Sequence, residues 1–390
     1  MKKKVLLGMS GGVDSSVAAI ILLKKGYEVV GVTLKLCPNE YSNLNGVKTC
    51  CSVNDVFDAR KVSYSLGIDH LVMNFTEIFK KKVINKFVDE YLKGKTPNPC
   101  VYCNKYIKFE ALLQRAKELN FDYIATGHYA NIEYSNKAKR YLLKKSKAKK
   151  DQSYVLYNLT QEQLSKTLFP LANLEKSEIR KIALDYGLHV ADKPDSQEIC
   201  FVPDNNYSEF IKNFNKKEFV PGKFTDLEGN FLGTHRGIPF YTLGQRRGLG
   251  IALGKHMYVA KINPTENTIV LCDEDHRYIK SVIVDKLNFI SVSGINEKIR
   301  AQVKIRYQSH TVSAALEPMK DVECDENNGS KNSGISGPKS TKEIYEETKK
   351  IKIIFDEKQK LTAPGQSAVF YDGDTVIGGG IISEVFLYNQ

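Results

Sequence analysis

Lys4-Val5-Leu6-Leu7-Gly8-Met9-Ser10-Gly11-Gly12-Val13-Asp14-Ser15-Ser16 stands near the start of the chain. Its first half is an apolar run that reads as a buried strand, and Asp14 to Lys25 reads as a helix. Between them lies a glycine-rich turn. Glycines at a strand-to-helix turn let backbone N–H groups approach phosphate oxygens, and the helix N-terminus adds its dipole. Ser10 and Ser15 add hydroxyl donors, and Asp14 is suited to holding Mg²⁺ against phosphates. The Walker pattern requires Gly-Lys-Ser/Thr, and no lysine is present here; G-x-G-x-x-G does not fit either.

Outward from this stretch the alternation continues. Glu28–Leu36, His70–Phe75 and Asp122–Thr126 read as further strands. Helical stretches occupy 54–66, 78–92 and 104–119. Strands alternating with helices imply an α/β fold with a parallel sheet covered on both faces, its ligands beyond the carboxyl ends of the strands. A helical stretch at 174–186 follows. From about Phe219 short β-like runs are separated by Gly, Asn, Asp and Pro, the pattern of small β domains or barrels. Cys324–Lys349 is aperiodic and rich in Asn, Ser, Gly and Lys, and reads as a disordered insertion between strands. Lys350–Phe355 and Ala368–Phe370 resume strand character.

The 390 residues are 42% hydrophobic and 26% charged, ordinary for a soluble protein of two or three domains. No apolar run approaches the roughly 20 residues of a membrane span. Met1-Lys2-Lys3-Lys4 leads into a strand without room for a secretory signal core, so a cytoplasmic address is expected. The net charge of +12 suits a polyanionic partner or general solubility. Lys137–Lys150 holds eight Lys or Arg and no acid, reading as a solvated hairpin or a phosphate-contacting strip.

Eight cysteines are too few and irregular for a disulfide scaffold. Cys100 and Cys103 lie in Asn98-Pro99-Cys100-Val101-Tyr102-Cys103-Asn104, where the prolines keep the chain extended before a helix. A thiolate near a helix N-terminus is stabilised, but the pair could also be half of a zinc site. Cys200, between Ile199 and Phe201, could be an inert packing residue.

The motifs SGGVDSS (10–16), TPNPCVYCNKYIKF (96–109), ATGHYA (125–130), KDQSYVLY (150–157), DSQEICF (195–201) and YTLGQRRGLG (241–250) occur in one order. The first resembles the PP-loop of the ATP pyrophosphatase superfamily, and the whole set resembles the bacterial tRNA-specific 2-thiouridylases. That resemblance implies a PP-loop ATP-binding domain over 1–205, a central β-rich domain over 206–280 that contacts tRNA, and a C-terminal β-barrel domain over 281–390. It implies ATP-dependent adenylation of the C2 oxygen of a wobble uridine, then sulfur transfer from a cysteine persulfide. Cys200 matches the persulfide carrier and Cys103 its partner nucleophile. Gly8, Met9, Ser10, Gly11, Gly12, Val13, Asp14, Ser15, Leu34 and Gly127 match the ATP site, with Mg²⁺ as its companion. Asn98, Pro99 and Cys100 match positions against the target base. His128, Lys150, Asp151, Gln152, Arg306, Tyr307 and Gln366 match tRNA contacts.

Some relatives carry Asp where this chain has Cys100. Three thiols, at Cys100, Cys103 and Cys200, then leave open an iron–sulfur cluster that binds the incoming sulfide. The sulfur donor expected is a cysteine desulfurase or a sulfur-relay protein. A competing expectation is another PP-loop synthetase acting on a small metabolite, and a third is a non-catalytic RNA-binding module.

Overall fold

The computed structural model describes residues 2–37, 53–194, 199–202, 206–216, 218–319 and 348–388. Five parallel strands, β1 (Lys4–Gly8), β2 (Glu28–Lys35), β3 (His70–Asn74), β4 (Tyr123–Ala125) and β7 (Thr167–Leu168), form a sheet in the order β3-β2-β1-β4-β7. Val5, Leu6 and Leu7 of β1 are fully buried, as a central parallel strand covered on both faces requires. From β1 the chain winds to β2 and β3 on one side, then returns to β4 on the other. The order therefore reverses at the β1/β4 boundary, where such folds open a ligand crevice.

Helix α1 (Val13–Lys24) packs one face of the sheet together with the helices Val53–Ser65 and Lys176–Asp185. The 76–92 and 99–118 helices cover the other face. Both widen in their middles to i→i+5 geometry, at Lys80–Ile84 and Asn104–Ala111.

A second sheet, β10-β11-β8-β9, joins β8 (Gly222–Thr225), β9 (Phe231–His235), β10 (Tyr258–Asn263) and β11 (Thr268–Cys272) around its own small core. The third closes on itself. β12 (Tyr278–Phe289), β15 (Lys350–Lys360), β14 (Val312–Met319), β13 (Ile299–Lys304), β16 (Ser367–Asp372) and β17 (Thr375–Leu387) form a six-stranded barrel sealed by β12–β17 pairing. Closure removes the exposed edges of an open sheet.

The barrel is welded to the first sheet. The hairpin β5 (Ala130–Ser135) and β6 (Arg140–Lys145) leaves the parallel sheet and pairs with β17 at Thr375. Ile290, Val369, Tyr371 and Val376 of the C-terminal region belong to the same apolar core as Leu6, Phe87 and Cys103. The hairpin also gives part of the basic strip internal partners. Arg140 donates to the Ile290 carbonyl at 2.9 Å, Lys144 pairs with Glu133 at 3.0 Å, and Lys145 donates to the Gly373 carbonyl at 3.0 Å. The expected insertion lies outside the described residues except for Thr348 and Lys349. Among the described residues no helix is long and apolar enough to cross a membrane.

Candidate active site

The turn after β1 is shaped by contacts that only glycine permits. Gly11 has φ +69°, and a Cβ there would sit 2.3 Å from the Asp55 carbonyl oxygen. Gly12, extended at φ −101° and ψ 164°, caps α1 with no side-chain hydrogen bond. The first-turn N–H groups therefore face the crevice as an anion cradle. From the other side of the switch point, Gly127 follows β4, and a Cβ on it would come within 2.9 Å of the Ser15 nitrogen. The backbone of the 125–130 motif is thus pressed directly against the start of α1.

The serines divide their labour. Ser15 accepts from the Ser10 N–H and donates to the Gly12 carbonyl, and Ser16 donates to the same carbonyl at 2.9 Å. Both are buried, so their hydroxyls hold the loop's shape; Ser10 is exposed. Met9 is fixed from behind. Its N–H donates to the Val32 carbonyl, and its carbonyl accepts from Thr33 Oγ1. Thr33 in turn lies 2.9 Å from His70 Nε2. Burial first, then Arg60, pushes His70 below the usual imidazole range, which suits a neutral ring donating through Nε2. Leu34 is buried near the carboxyl end of β2.

Asp14 is surrounded by partners far apart in sequence. Its Oδ1 accepts from the Tyr129 hydroxyl and from Lys176 Nζ, each at 2.6 Å, and Lys150 Nζ lies 3.7 Å from Oδ2. Lys193 Nζ donates to the Gly11 carbonyl at 3.0 Å, to Asp55 at 2.7 Å and to Asp58 at 2.8 Å. Burial opposes the Asp58 charge, but hydrogen bonds from Lys193 and His189 outweigh it and hold the carboxyl below its usual range. Burial likewise opposes the Lys193 charge, and the two aspartates outweigh it. Lys176 and Lys193 escape a motif reading, and Tyr129, although inside ATGHYA, carries no assigned role. Each lysine stands in ordinary sequence context, and only the fold brings it to the loop.

The turn at Lys150–Gln152 connects this loop to the thiols. Lys150 stands at Asp14 and over the Tyr129 ring. Asp151 accepts from the Ser146 and Ser153 backbones and the Ser153 hydroxyl. Gln152 Oε1 accepts from the Tyr129 N–H at 2.9 Å. Tyr307, reaching over from the barrel, has its phenol raised by burial; Gln152 hydrogen-bonds to it, and Asp151 and Cys100 both lie near enough to influence it. Asp151, Gln152 and Tyr307 thus lie together, with Cys100 near enough to Tyr307 to influence it. Arg306 is half-buried and donates to the Lys360 carbonyl at 3.2 Å.

Cys100 begins the 99–118 helix. Asn98 Oδ1 accepts from the Cys100 N–H at 3.1 Å, and Pro99 occupies the first turn, where its missing N–H costs nothing. The barrel braces this start from behind. Thr96 N–H donates to the Pro364 carbonyl at 2.8 Å, and Gln366 Nε2 donates to the Thr96 carbonyl at 2.7 Å. Gly365, at φ +93°, lies against Thr96 and Pro97 so closely that a Cβ would meet them at 3.1 to 3.2 Å. The Gln366 amide therefore spends a donor on the backbone that leads into the Cys100 helix.

Cys100 is exposed, Cys103 is buried and Cys200 is partly buried. Cys103 belongs to the large core, and Cys200 packs against that same core. Phe201 anchors the Cys200 segment, its ring meeting Phe87 at 5.2 Å, Phe210 at 5.4 Å and Phe79 at 5.7 Å. Residues 195–198 of the DSQEICF motif lie outside the described residues. Among the described residues no three His, Cys, Asp or Glu side chains form a group that could hold a metal ion. Among the described residues, then, Cys100, Cys103 and Cys200 are not grouped as an iron–sulfur cluster or a zinc site would require.

His128 is buried, its Nδ1 2.7 Å from Thr126 Oγ1 and its ring beside Phe109 and Phe169. Burial, then Lys108, holds it well below the usual imidazole range. A neutral, enclosed ring offers no surface to an RNA in this conformation. In YTLGQRRGLG, Gln245 closes its own loop: Oε1 accepts from the Thr242 N–H and Nε2 donates to the Arg247 carbonyl, both at 3.0 Å.

Comparison with known proteins agrees with this organisation. Residues 3–204 match a family model described as the tRNA methyl transferase HUP domain, 208–273 the tRNA methyl transferase PRC-barrel domain, and 336–382 the aminomethyltransferase beta-barrel domain. The tRNA-specific 2-thiouridylase MnmA of Acetivibrio thermocellus is 51% identical over 98% of this chain and 99% of its own length. The protein of the same name from Clostridioides difficile is 50% identical over 98% and 99%. At that identity, along essentially all of both chains, the protein belongs to the tRNA-specific 2-thiouridylase family.

Proposed function

We infer that this protein is a tRNA 2-thiouridylase: an ATP-dependent sulfurtransferase that replaces the C2 oxygen of a tRNA uridine with sulfur. The observation that carries the reading, beside whole-chain relatedness, is the 150–152 turn, with Lys150 at the phosphate loop and Gln152 at the tyrosine beside Cys100. Activation and sulfur chemistry thus share one path through the molecule. The matched family models are described by methyl transfer, but a phosphate cradle together with Cys103 in the core and Cys200 packed against it suits adenylation and sulfur transfer.

In the chemistry we propose, the α1 N-terminus and Ser10 hold the phosphates of ATP, and Lys150 and Lys176 stand ready to neutralise them. Asp14 and the Ser10 hydroxyl are hard oxygen donors fitted to Mg²⁺, which would offset phosphate charge when bound. The C2 oxygen of the wobble uridine attacks the α-phosphorus and pyrophosphate leaves. The terminal sulfur of a Cys200 persulfide attacks C2 and AMP departs with the original oxygen. Cys103 thiolate then attacks Cys200 Sγ, breaking the S–S bond. The sulfur stays on the base, and a Cys103–Cys200 disulfide remains for an external thiol to reduce. Asn98, Pro99 and Cys100 lie against the base. The persulfide comes from a cysteine desulfurase or a sulfur-relay protein, in the cytoplasm, and the units 1–205, 206–280 and 281–390 divide catalysis from tRNA handling.

ATP–pyrophosphate exchange with and without tRNA tests the reading. AMP and exchange are expected only when tRNA is present; AMP formation indifferent to tRNA would contradict it. Two side chains deserve separate predictions. Lys193→Met removes three hydrogen bonds that tie the loop to Asp55 and Asp58, and should raise the KM for ATP about tenfold. Its tRNA affinity should stay unchanged, as filter binding would show. Gln366→Ala should lower kcat by about tenfold through loss of the Thr96 brace. A loss of tRNA affinity at unchanged kcat would instead make Gln366 an RNA contact.

A further inference from the structure

Four lysines crowd the exposed side of the thiol-bearing helix. Lys82 and Lys86 project from the 76–92 helix, Lys105 from the 99–118 helix and Lys286 from β12. Three of them share one aromatic ring: Lys82 Nζ lies 5.2 Å, Lys105 Nζ 5.6 Å and Lys86 Nζ 5.8 Å from the centre of Tyr106. Lys86 also sits 4.0 Å from the centre of Tyr102. Cation–π contact relieves some of the repulsion but does not cancel charge.

Some surface lysines elsewhere have carboxylate partners, as in Lys4–Glu28, Lys117–Glu162 and Lys144–Glu133. Among the described residues none of these four forms an ion pair. Glu90, one turn beyond Lys86, favours its charge without pairing. Burial first, then Lys286, Lys105 and Lys82, push the Lys86 ammonium below its usual range. Three elements from two ends of the chain thus hold like charges together at an electrostatic cost. The Lys137–Lys150 strip, by contrast, spends Arg140, Lys144 and Lys145 on internal partners.

We propose that Lys82, Lys86 and Lys105, gathered about Tyr106, form with Lys286 near Lys86 a docking site for the phosphates of the RNA strand that carries the target uridine. The inference rests on the thiouridylase reading and adds a seat for the substrate that no motif marks. Tyr106 stands six residues beyond Cys100 on the same helix, about 9 Å along its axis. Phosphates held there belong to nucleotides flanking the base at Cys100. Flexible ammoniums around an aromatic ring suit a backbone contacted for charge, with no base read.

The test is tRNA affinity of the full-length protein across a KCl series. The variant Lys82→Gln/Lys105→Gln/Lys286→Gln leaves half-buried Lys86 in place. If two phosphate contacts are lost, the slope of log K against log salt should fall by about 1.4 and affinity near 0.15 M salt by roughly fifteenfold. The matching Lys→Arg triple variant should keep the wild-type slope. An unchanged slope in the glutamine variant overturns the proposal. So does an equal loss in both variants, which would mean that shape rather than charge was removed. A wild-type slope with slower persulfide loading of Cys200 assigns the patch to the sulfur donor and overturns it too. Failure of the wild-type protein to thiolate tRNA would sink the underlying reading instead.

Discussion

Cys200→Ser should abolish thiolation, lowering the single-turnover rate by at least about 10³-fold, while tRNA affinity stays at the wild-type value. A serine hydroxyl cannot carry sulfane sulfur, so no second residue on this segment can take over. The substitution is small, and Phe201 keeps the segment anchored in its aromatic cluster. Folding should therefore be unaffected, as an unchanged melting temperature would show. ATP–pyrophosphate exchange with tRNA should persist, because activation precedes sulfur attack. Cys103→Ser should behave differently: without tRNA a persulfide should still form on Cys200, visible as a sulfur adduct by mass analysis of the intact protein, and with tRNA and ATP the reaction should stop at a Cys200–S–S–uridine adduct. Retained thiolation in the Cys200 variant would refute the relay.

Gly11→Val should lower ATP–pyrophosphate exchange by about 10² or more, since misplacing a reacting group by about 1 Å costs that much. Two independent penalties act at this position. A side chain at φ +69° costs roughly 1–2 kcal/mol in backbone strain, more for a β-branched residue. Its Cβ would also enter the Asp55 carbonyl at 2.3 Å, so the loop must move away from the Val53–Ser65 helix. Gly26 separates the two effects. It has φ +83° with nothing within 4 Å of a Cβ, so Gly26→Ala should cost stability alone and leave exchange intact. Equal exchange in the Gly11 and Gly26 variants would show that the loop tolerates displacement.

The parallel sheet was legible because its strands are short apolar runs punctuated by glycine, each followed by a helical period. β1, β2, β3 and β4 stand within a residue or two of the runs that announce them. β5 and β6 were not separable from a solvated basic hairpin, since what makes them structural is a carboxylate at 374 and carbonyls at 290 and 373. The helix Tyr207–Asn215 and strands β13, β14 and β17 also went unmarked. β17 carries three consecutive glycines that serve close approach, a Cβ at Gly379 meeting the Tyr157 ring and one at Gly378 the Asn288 carbonyl.

At the site, the glycines, Asp14 and the cysteines announced themselves by spacing. Their supports did not. Lys176 and Lys193 are 162 and 182 residues from the loop atoms they hold, and nothing local distinguishes them from other surface lysines. Gln366 matched a family position, but its bond to Thr96 spans 270 residues and is visible only in the fold.

The central claim is that ATP activation and a cysteine-borne sulfur meet on a tRNA uridine. Mass analysis of nucleosides from tRNA incubated with the protein, ATP and a persulfide donor tests it most directly. The account predicts a 2-thiouridine derivative at the wobble position, formed only with ATP present and matched by equal AMP. Unmodified uridine despite AMP release, or a methylated nucleoside in place of a thiolated one, would contradict it.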